Sequence, residues 1–121
     1  MVYRFGGLAA LGAVLGTTLR YYLALIIPTQ AALNFPWPTL TVNILGSLII
    51  GWCATQAAIM SHDARRHFLV TGVLGGFTTF SAFALDLISF NGSWILWLGY
   101  VAATFAGGLA ATHLGWRVGS R

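Results

Sequence analysis

The chain has 121 residues, of which 58% are apolar and only 7% are charged. Because a soluble domain carries about 25% charged residues, this composition excludes an ordinary water-soluble domain and predicts a protein surrounded by lipid. The net charge of +4 does not indicate nucleic-acid binding, because the arginines stand near the ends of apolar segments and form no polar stripe.

Four apolar stretches of about 20 residues follow one another, and an α-helix needs that length to cross a bilayer. They cover about residues 5–27, 40–60, 68–90 and 94–116. The connections contain helix breakers or polar runs: Pro28 to Pro38, Ser61 to His67, and Asn91-Gly92-Ser93 with a helix start at Ser93. We therefore predict an all-α, multi-pass integral membrane protein with a single domain of four transmembrane helices over residues 1–121.

The arginines predict how these spans are oriented. With four spans, both termini and the polar loop after the second span lie on one side of the membrane. That side holds Arg4, Arg65, Arg66, Arg117 and Arg121, and the other side holds only Arg20. Arginine is enriched on the cytoplasmic side, so both termini are predicted to be cytoplasmic.

Polar side chains inside the first two predicted spans are candidates for a functional site, because hydrocarbon offers them no partners. Asn43 lies one turn inside the second span, and Thr39 lies one turn before it on the same helical face. The Asn43 amide either holds two helices together or donates to an anion path. Arg20, in the last turns of the first span, either extends to the lipid headgroups or supplies positive potential at the mouth of an anion route.

The third predicted span contains the most specific pattern, Gly75-Gly76-Phe77-Thr78-Thr79-Phe80-Ser81-Ala82-Phe83, which follows Gly72. Three glycines followed by two β-branched threonines are poor helix formers, so we predict that this helix is broken near its middle. A break at membrane depth frees backbone carbonyls, which need partners from the protein or from an ion. Such oxygens suit Na⁺.

Two phenylalanines follow the predicted break. Phe80 and Phe83 are three residues apart and share a helix face, with the hydroxyls of Thr79 and Ser81 beside them. Because the edge of a phenyl ring is positive, two rings presented edge-on can replace water around a small anion. An aromatic pair at this spacing also occurs in ordinary packing.

Three sequence elements in this order resemble the Fluc (CrcB) family of fluoride channels. Gly12 to Tyr21 is similar to that family's glycine and arginine element in the first span. Thr39 to Asn43 is similar to its T-L-x-V-N element, and Gly75 to Phe83 to its G-G-x-T-T-F-S-x-F element. The resemblance implies a passive, fluoride-selective ion channel in a bacterial inner membrane, which exports cytoplasmic fluoride and relieves its toxicity.

The resemblance also implies site residues and a bound cation. The fluoride pathway would be lined by Asn43, Phe80, Phe83, Ser81, Thr79, Thr39, Tyr100 and Thr104, with Arg20 at the pore mouth. A structural Na⁺ at the centre of a dimer would be held by the backbone carbonyls of Gly75 and Thr78 from both subunits. The chain departs from the family at Gly108, where a hydroxyl is common, and at Asp86, where Glu is common; we assign Asp86 no role.

The family forms antiparallel dimers, either of one chain with dual topology or of two paralogous chains with opposite fixed orientations. Five arginines against one is a strong bias for a chain that must insert both ways. We nevertheless expect an antiparallel homodimer, because several arginines are terminal and the polar loop carries Asp63.

The residues that an enzyme or a proton-coupled exchanger needs are missing from the sequence. The sequence contains no Glu, no pair of nearby carboxylates and no Cys/His cluster with metal-ligand spacing, so we expect no enzyme. The alternative of a small multidrug-type proton-coupled exchanger requires a membrane-embedded carboxylate, and the first two spans contain none. A non-transporting membrane scaffold would explain glycine-rich faces such as Gly12 and Gly16, but not the break, Asn43 and the paired phenylalanines.

Overall fold

The computed structural model describes residues 2–27, 35–89 and 93–121. In this part of the chain all regular structure is helical. By length and composition, the helices Gly6–Ile26, Asp63–Ser89 and Trp94–Gly119 can cross a membrane, and Trp37–Cys53 is a shorter apolar helix. The architecture therefore agrees with a helical integral membrane protein.

The helices are numbered here in chain order. A 3-10 turn at Val2–Phe5 leads into α1, Gly6–Ile26. Next come α2, Trp37–Cys53, and the single turn α3, Ala57–Met60. The helix α4 covers residues 63–77 and consists of Asp63–Arg66, a π-helical stretch His67–Leu74, and Gly75–Phe77. The last two helices are α5, Phe80–Ser89, and α6, Trp94–Gly119.

The second helix is displaced from its predicted position at both ends. It begins at Trp37 with Pro38 in its first turn, so Pro38 belongs to the helix and not to the predicted connection. Proline is tolerated there because the first helical N–H groups have no partner within the helix. The rest of that connection, residues 28–34, lies outside the described residues. At the other end α2 stops at Cys53, where the Gln56 N–H donates to the Cys53 carbonyl at 3.0 Å and closes a turn.

The third span begins earlier than the sequence predicts. The run from Ser61 to His67 is predicted as a loop, but it is helical from Asp63 onward. Arg66 donates to the Asp63 carboxylate at 2.8 Å. An acidic residue in the first turn also suits the positive end of the helix dipole. The π-helical stretch that follows has no counterpart in the sequence prediction.

The break predicted for this span lies at two threonines. Thr78 has extended backbone, with φ −75° and ψ 155°, and α5 begins after Thr79. The three glycines lie before the break and are themselves helical. Glycine flexibility therefore does not cause the break, and the helical glycines have a different role.

The first of two helix pairs is formed by α1 and α4. A Cβ atom added to Gly12 would collide with the Phe68 carbonyl, and one added to Gly16 would collide with the Val73 carbonyl. Glycine lets helix backbones approach closely in lipid. Because the contacts advance along both helices together, α1 and α4 run in the same direction.

The second pair is formed by α2 and α6. A Cβ atom on Gly107 would come 2.6 Å from the Ile44 side chain, and one on Gly51 would collide with the Thr112 carbonyl. These contacts also advance together, so α2 and α6 are parallel to each other. The helix α6 starts at the predicted cap, where Ser93 Oγ accepts a hydrogen bond from the Ile95 N–H at 3.2 Å.

Replacing Gly16 by alanine is expected to destabilise the α1–α4 pair. The added methyl group would overlap a backbone carbonyl, which cannot move without the whole helix. Such overpacking costs about 1–3 kcal/mol, which a lower thermal denaturation temperature in detergent would show. Gly7→Ala is the matched control in the same helix, because nothing lies within 4 Å of its added methyl. Equal stability of the two variants would contradict the close contact.

The interior of a single subunit is small. The buried apolar residues among those described are Val42, Cys53, Leu74, Phe77, Phe83, Tyr100 and Ala111. Large apolar side chains are exposed on most helices, and Ile88 of α5 is 83% exposed. Lipid or another protein surface must cover these side chains, because so much apolar surface is not stable in contact with water.

Candidate functional site

The break in the third span is held by the side chain of Asn43 on α2. Asn43 Nδ2 donates to the Thr79 carbonyl at 2.9 Å, and the Thr79 N–H donates to Asn43 Oδ1 at 2.7 Å. The amide thus accepts from the Thr79 N–H, which the interrupted helix no longer pairs, and adds a donor to the Thr79 carbonyl at the start of the next helix. One N–H of the Asn43 amide remains for another acceptor. The geometry therefore favours the interpretation of Asn43 as a link between two helices. The second N–H of its amide is still free to donate to an anion.

Thr79 also starts the helix that follows the break. Its hydroxyl oxygen accepts a hydrogen bond from the Ala82 N–H at 3.1 Å, as a helix N-cap does. The same oxygen lies 3.3 Å from Ser81 Oγ. Thr79 is only 8% exposed, so its hydroxyl and both its backbone groups are fixed.

The first of two grooves at the break, the Arg20 groove, has a volume of about 460 Å³. It lies between the later part of α1, the start of α2 and the start of α5. Of the predicted site residues it brings together Arg20, Thr39, Thr79 and Ser81. Its one charged side chain is therefore a guanidinium, and its other functional groups are hydroxyls.

The second groove, the Asn43 groove, has a volume of about 390 Å³ and extends along α2 and α6. It brings together the predicted residues Asn43, Thr79, Phe80, Phe83 and Thr104, along with Thr78. Among the residues that the structure describes, Thr79 alone lines both grooves. The predicted residues therefore form two sets that meet at the break.

Two further hydroxyls in the Asn43 groove were missed by the sequence analysis. Ser47 lies one turn after Asn43, and Thr112 lies two turns after Thr104. Helical spacing was the signal that could have found them, because residues four apart share a face.

The two predicted phenylalanines lie side by side but in different surroundings. Their ring centroids are 5.7 Å apart. Phe83 is 4% exposed and makes an edge-to-face contact with Phe105, at 5.7 Å and 87° between planes. Phe80 is 73% exposed in a single subunit. The Phe83 ring is thus fixed by packing, whereas the Phe80 ring is free to contact lipid or another protein chain.

Tyr100, another predicted site residue, lines neither groove. It is completely buried, with its ring centroid 5.3 Å from that of Phe83. Its phenol donates to Asp86 Oδ2 at 3.0 Å, and the Thr39 hydroxyl lies beside the phenol oxygen. Asp86, which had no predicted role, therefore has a partner. An ionisable residue inside a span requires one, which is the signal that could have paired them.

The carbonyls that have lost their regular helical donors at the break include those of Gly75 and Thr78. In a continuous helix the Thr79 N–H would donate to Gly75, but here it donates to Asn43. The Ala82 N–H would donate to Thr78, but here it donates to the Thr79 hydroxyl. Gly75 is exposed and Thr78 is half-buried, so both residues can be reached from outside the helix. Within residues 2–27, 35–89 and 93–121 no three His, Cys, Asp or Glu side chains form a metal-binding group.

Comparison with known proteins finds one family. A family model described as CrcB-like protein, Camphor Resistance (CrcB), matches residues 7–116. A protein of Agrobacterium fabrum named Fluoride-specific ion channel FluC is 41% identical over 116 residues, covering 93% of this chain and 93% of that protein. Proteins of the same name from Paramagnetospirillum magneticum and Allorhizobium ampelinum are similar. The former is 38% identical, covering 80% of this chain and 93% of the relative. The latter is 42% identical, covering 91% of each.

Proposed function

The chain belongs to the CrcB family, and on that basis we propose that it is a fluoride-selective channel through which cytoplasmic fluoride leaves the cell passively. The observation that carries the proposal is the meeting at Thr79, on the broken span, of two grooves that hold the predicted polar residues. Relatives that cover most of the chain bear the name of a fluoride channel. The bacterial inner membrane is the location that we propose with it.

The lining chemistry suits fluoride. This anion is small and strongly hydrated, so a pore must replace its water by fixed donors. The Asn43 groove offers the spare amide N–H of Asn43, hydroxyls, and the rings of Phe80 and Phe83, whose edges are positive. None of these groups is a cation, so a bound anion is held weakly enough to leave.

Arg20 supplies the positive charge of the pathway at its mouth. It lies six residues before the end of α1 and lines the groove that also holds Thr39 and Ser81. A guanidinium in a low-dielectric groove raises the local concentration of anions. We propose that it attracts fluoride into the Arg20 groove, from which hydroxyls lead to Thr79.

An antiparallel homodimer is the assembly that we propose. The support is the open face of α5, where Phe80 is 73%, Leu85 65% and Ile88 83% exposed in one subunit. A second copy would cover this face and complete the surroundings of the exposed Phe80 ring. A paralogous chain of opposite orientation is the alternative partner, because the arginine bias is strong.

The residues at the break fit a structural Na⁺. Hard cations bind carbonyl oxygens, and the carbonyls of Gly75 and Thr78 have lost their helical donors. We propose that these two oxygens, contributed by both copies at the dimer centre, hold the ion. Na⁺ then fixes the break and takes no part in conduction. Replacing Na⁺ by N-methylglucamine on both sides of the membrane should lower fluoride efflux.

The test of function is fluoride efflux from liposomes that contain only this purified chain. A fluoride electrode should record fast release, while chloride-loaded liposomes should release little. That result would also show that one gene product suffices, as the homodimer requires. Absence of release from well-folded protein would exclude a self-sufficient channel. Release that appears only with a paralogous chain would replace the homodimer by the heterodimer.

A further inference from the structure

The polar face of α6 that lines the Asn43 groove has a gap. Tyr100, Thr104, Gly108 and Thr112 recur every four residues, so they share one helical face. Thr104 and Thr112 carry hydroxyls into the groove, but Gly108 between them carries nothing. At 1.5 Å per residue, the two hydroxyls are about 12 Å apart along the helix axis.

The facing helix α2 places a hydroxyl at the gap. A Cβ atom built on Gly108 would lie 3.6 Å from Ser47 Oγ, an ordinary contact distance. Ser47 and Gly108 both line the Asn43 groove. The serine hydroxyl therefore occupies the depth at which α6 has no side chain.

The Ser47 hydroxyl also differs from its neighbours in its hydrogen bonds. Thr104 and Thr112 donate to their own helix, to the carbonyls of Tyr100 at 2.8 Å and Gly108 at 2.9 Å. Their protons are therefore engaged, and they present mainly lone pairs to the groove.

The hydroxyls at the break are engaged as well. Thr78 Oγ1 donates to the Leu74 carbonyl at 2.9 Å. Thr79 Oγ1 accepts from the Ala82 N–H and lies 3.3 Å from Ser81 Oγ. Among the described hydroxyls that line this groove, Ser47 is the one with no hydrogen-bond partner in residues 2–27, 35–89 and 93–121. An anion needs donors and not lone pairs, so the Ser47 hydroxyl can give its proton to an anion without breaking a hydrogen bond of the protein.

We propose that Ser47 is the hydroxyl donor that binds fluoride in passage along α6, taking the position that Gly108 leaves open. This inference rests on the proposed fluoride channel function. It assigns a specificity-determining role to a side chain that the packing of small residues would otherwise explain. Packing needs only a small residue at position 47, whereas donation needs the hydroxyl.

The test is a pair of substitutions across the groove. Ser47→Ala keeps the Cβ atom and removes the hydroxyl, and is expected to lower fluoride efflux about tenfold, since a hydrogen bond to a charged group contributes about 1.5–3 kcal/mol. Adding Gly108→Ser to that variant returns a hydroxyl at the same depth and should restore most of the efflux. Gly108→Ala in the same background is the matched control, because it adds the methyl group without the hydroxyl and should restore nothing.

The outcomes separate this inference from the function on which it rests. If the wild-type chain releases no fluoride, the channel function fails. If wild type conducts and Ser47→Ala conducts equally well, Ser47 is only a packing residue and the inference is wrong. Equal rescue by Gly108→Ser and Gly108→Ala would also overturn it, since the groove shape and not the hydroxyl would then matter. Thermal stability in detergent, expected to be equal for all variants, shows that a loss of efflux is not a loss of fold.

Discussion

Replacing Asn43 by aspartate should abolish fluoride efflux, lowering it at least about 100-fold, and should also lower thermal stability. Aspartate has the same shape but no N–H, so the bond to the Thr79 carbonyl is lost and two acceptors face each other. A carboxylate would also repel an anion in the groove, since like charges about 4 Å apart cost about 4 kcal/mol in a protein-like dielectric. Liposome efflux and the denaturation temperature measure the two effects separately.

Asn43→Leu distinguishes the two reasons. Leucine removes both hydrogen bonds to Thr79 and adds no charge, so the stability of Asn43→Leu should also fall, while its efflux should fall less than that of Asn43→Asp. Thr18→Val is the control for loss of a polar group inside a span, because the Thr18 hydroxyl donates only to the Val14 carbonyl of its own helix at 2.8 Å. An aspartate variant as stable and as conductive as wild type would contradict the role of Asn43 at the break.

Replacing Phe80 by leucine should lower fluoride efflux at least about tenfold while the fold stays intact. The ring is 73% exposed in a single subunit, so its removal leaves no cavity within that subunit. Leucine has similar hydrophobicity but no positive ring edge. Efflux should therefore fall while the denaturation temperature hardly changes. If the protein were a non-transporting scaffold, the Phe80→Leu variant would assemble and function like wild type.

Two further variants complete that experiment. Phe83→Leu should lower both efflux and stability, because Phe83 is buried against Phe105 and Tyr100. Phe68→Leu, at the start of the third span and outside both grooves, should conduct like wild type. If Phe80→Leu runs as a monomer in gel filtration, Phe80 acts through assembly, and its place in the pathway is refuted.

Composition and local pattern were sufficient for the helices and for the position of the break. Long apolar runs require helices because lipid satisfies no backbone groups. The run of threonines after the glycines correctly located the interruption, and the motif residues Asn43, Phe80, Phe83 and Thr104 do line one groove. The prediction that the glycines contribute to the break was wrong, however. Gly72 and Gly76 are helical and serve close packing against α1.

What the sequence could not supply depends on contacts between distant segments. The Asn43 bonds to Thr79 join residues 36 positions apart, and no local propensity reports them. The same holds for the hydrogen bond between Tyr100 on α6 and Asp86 on α5, which joins two different spans. Pro38 in the first turn of α2 and the early start of the third span at Asp63 are boundary effects, which hydropathy alone does not resolve.

The pairing of the helices has a consequence for how the protein is made. The glycine contacts in which a Cβ atom would meet backbone join α1 to α4 and α2 to α6, so the first two spans make no such close pair with each other. A ribosome delivers the spans in order, and chains generally begin to assemble from the N-terminus. The first two spans must therefore wait in the bilayer, unpaired, until the third arrives. A chain interrupted after α2 would hold neither pair, which makes the half-made protein a substrate for membrane quality control.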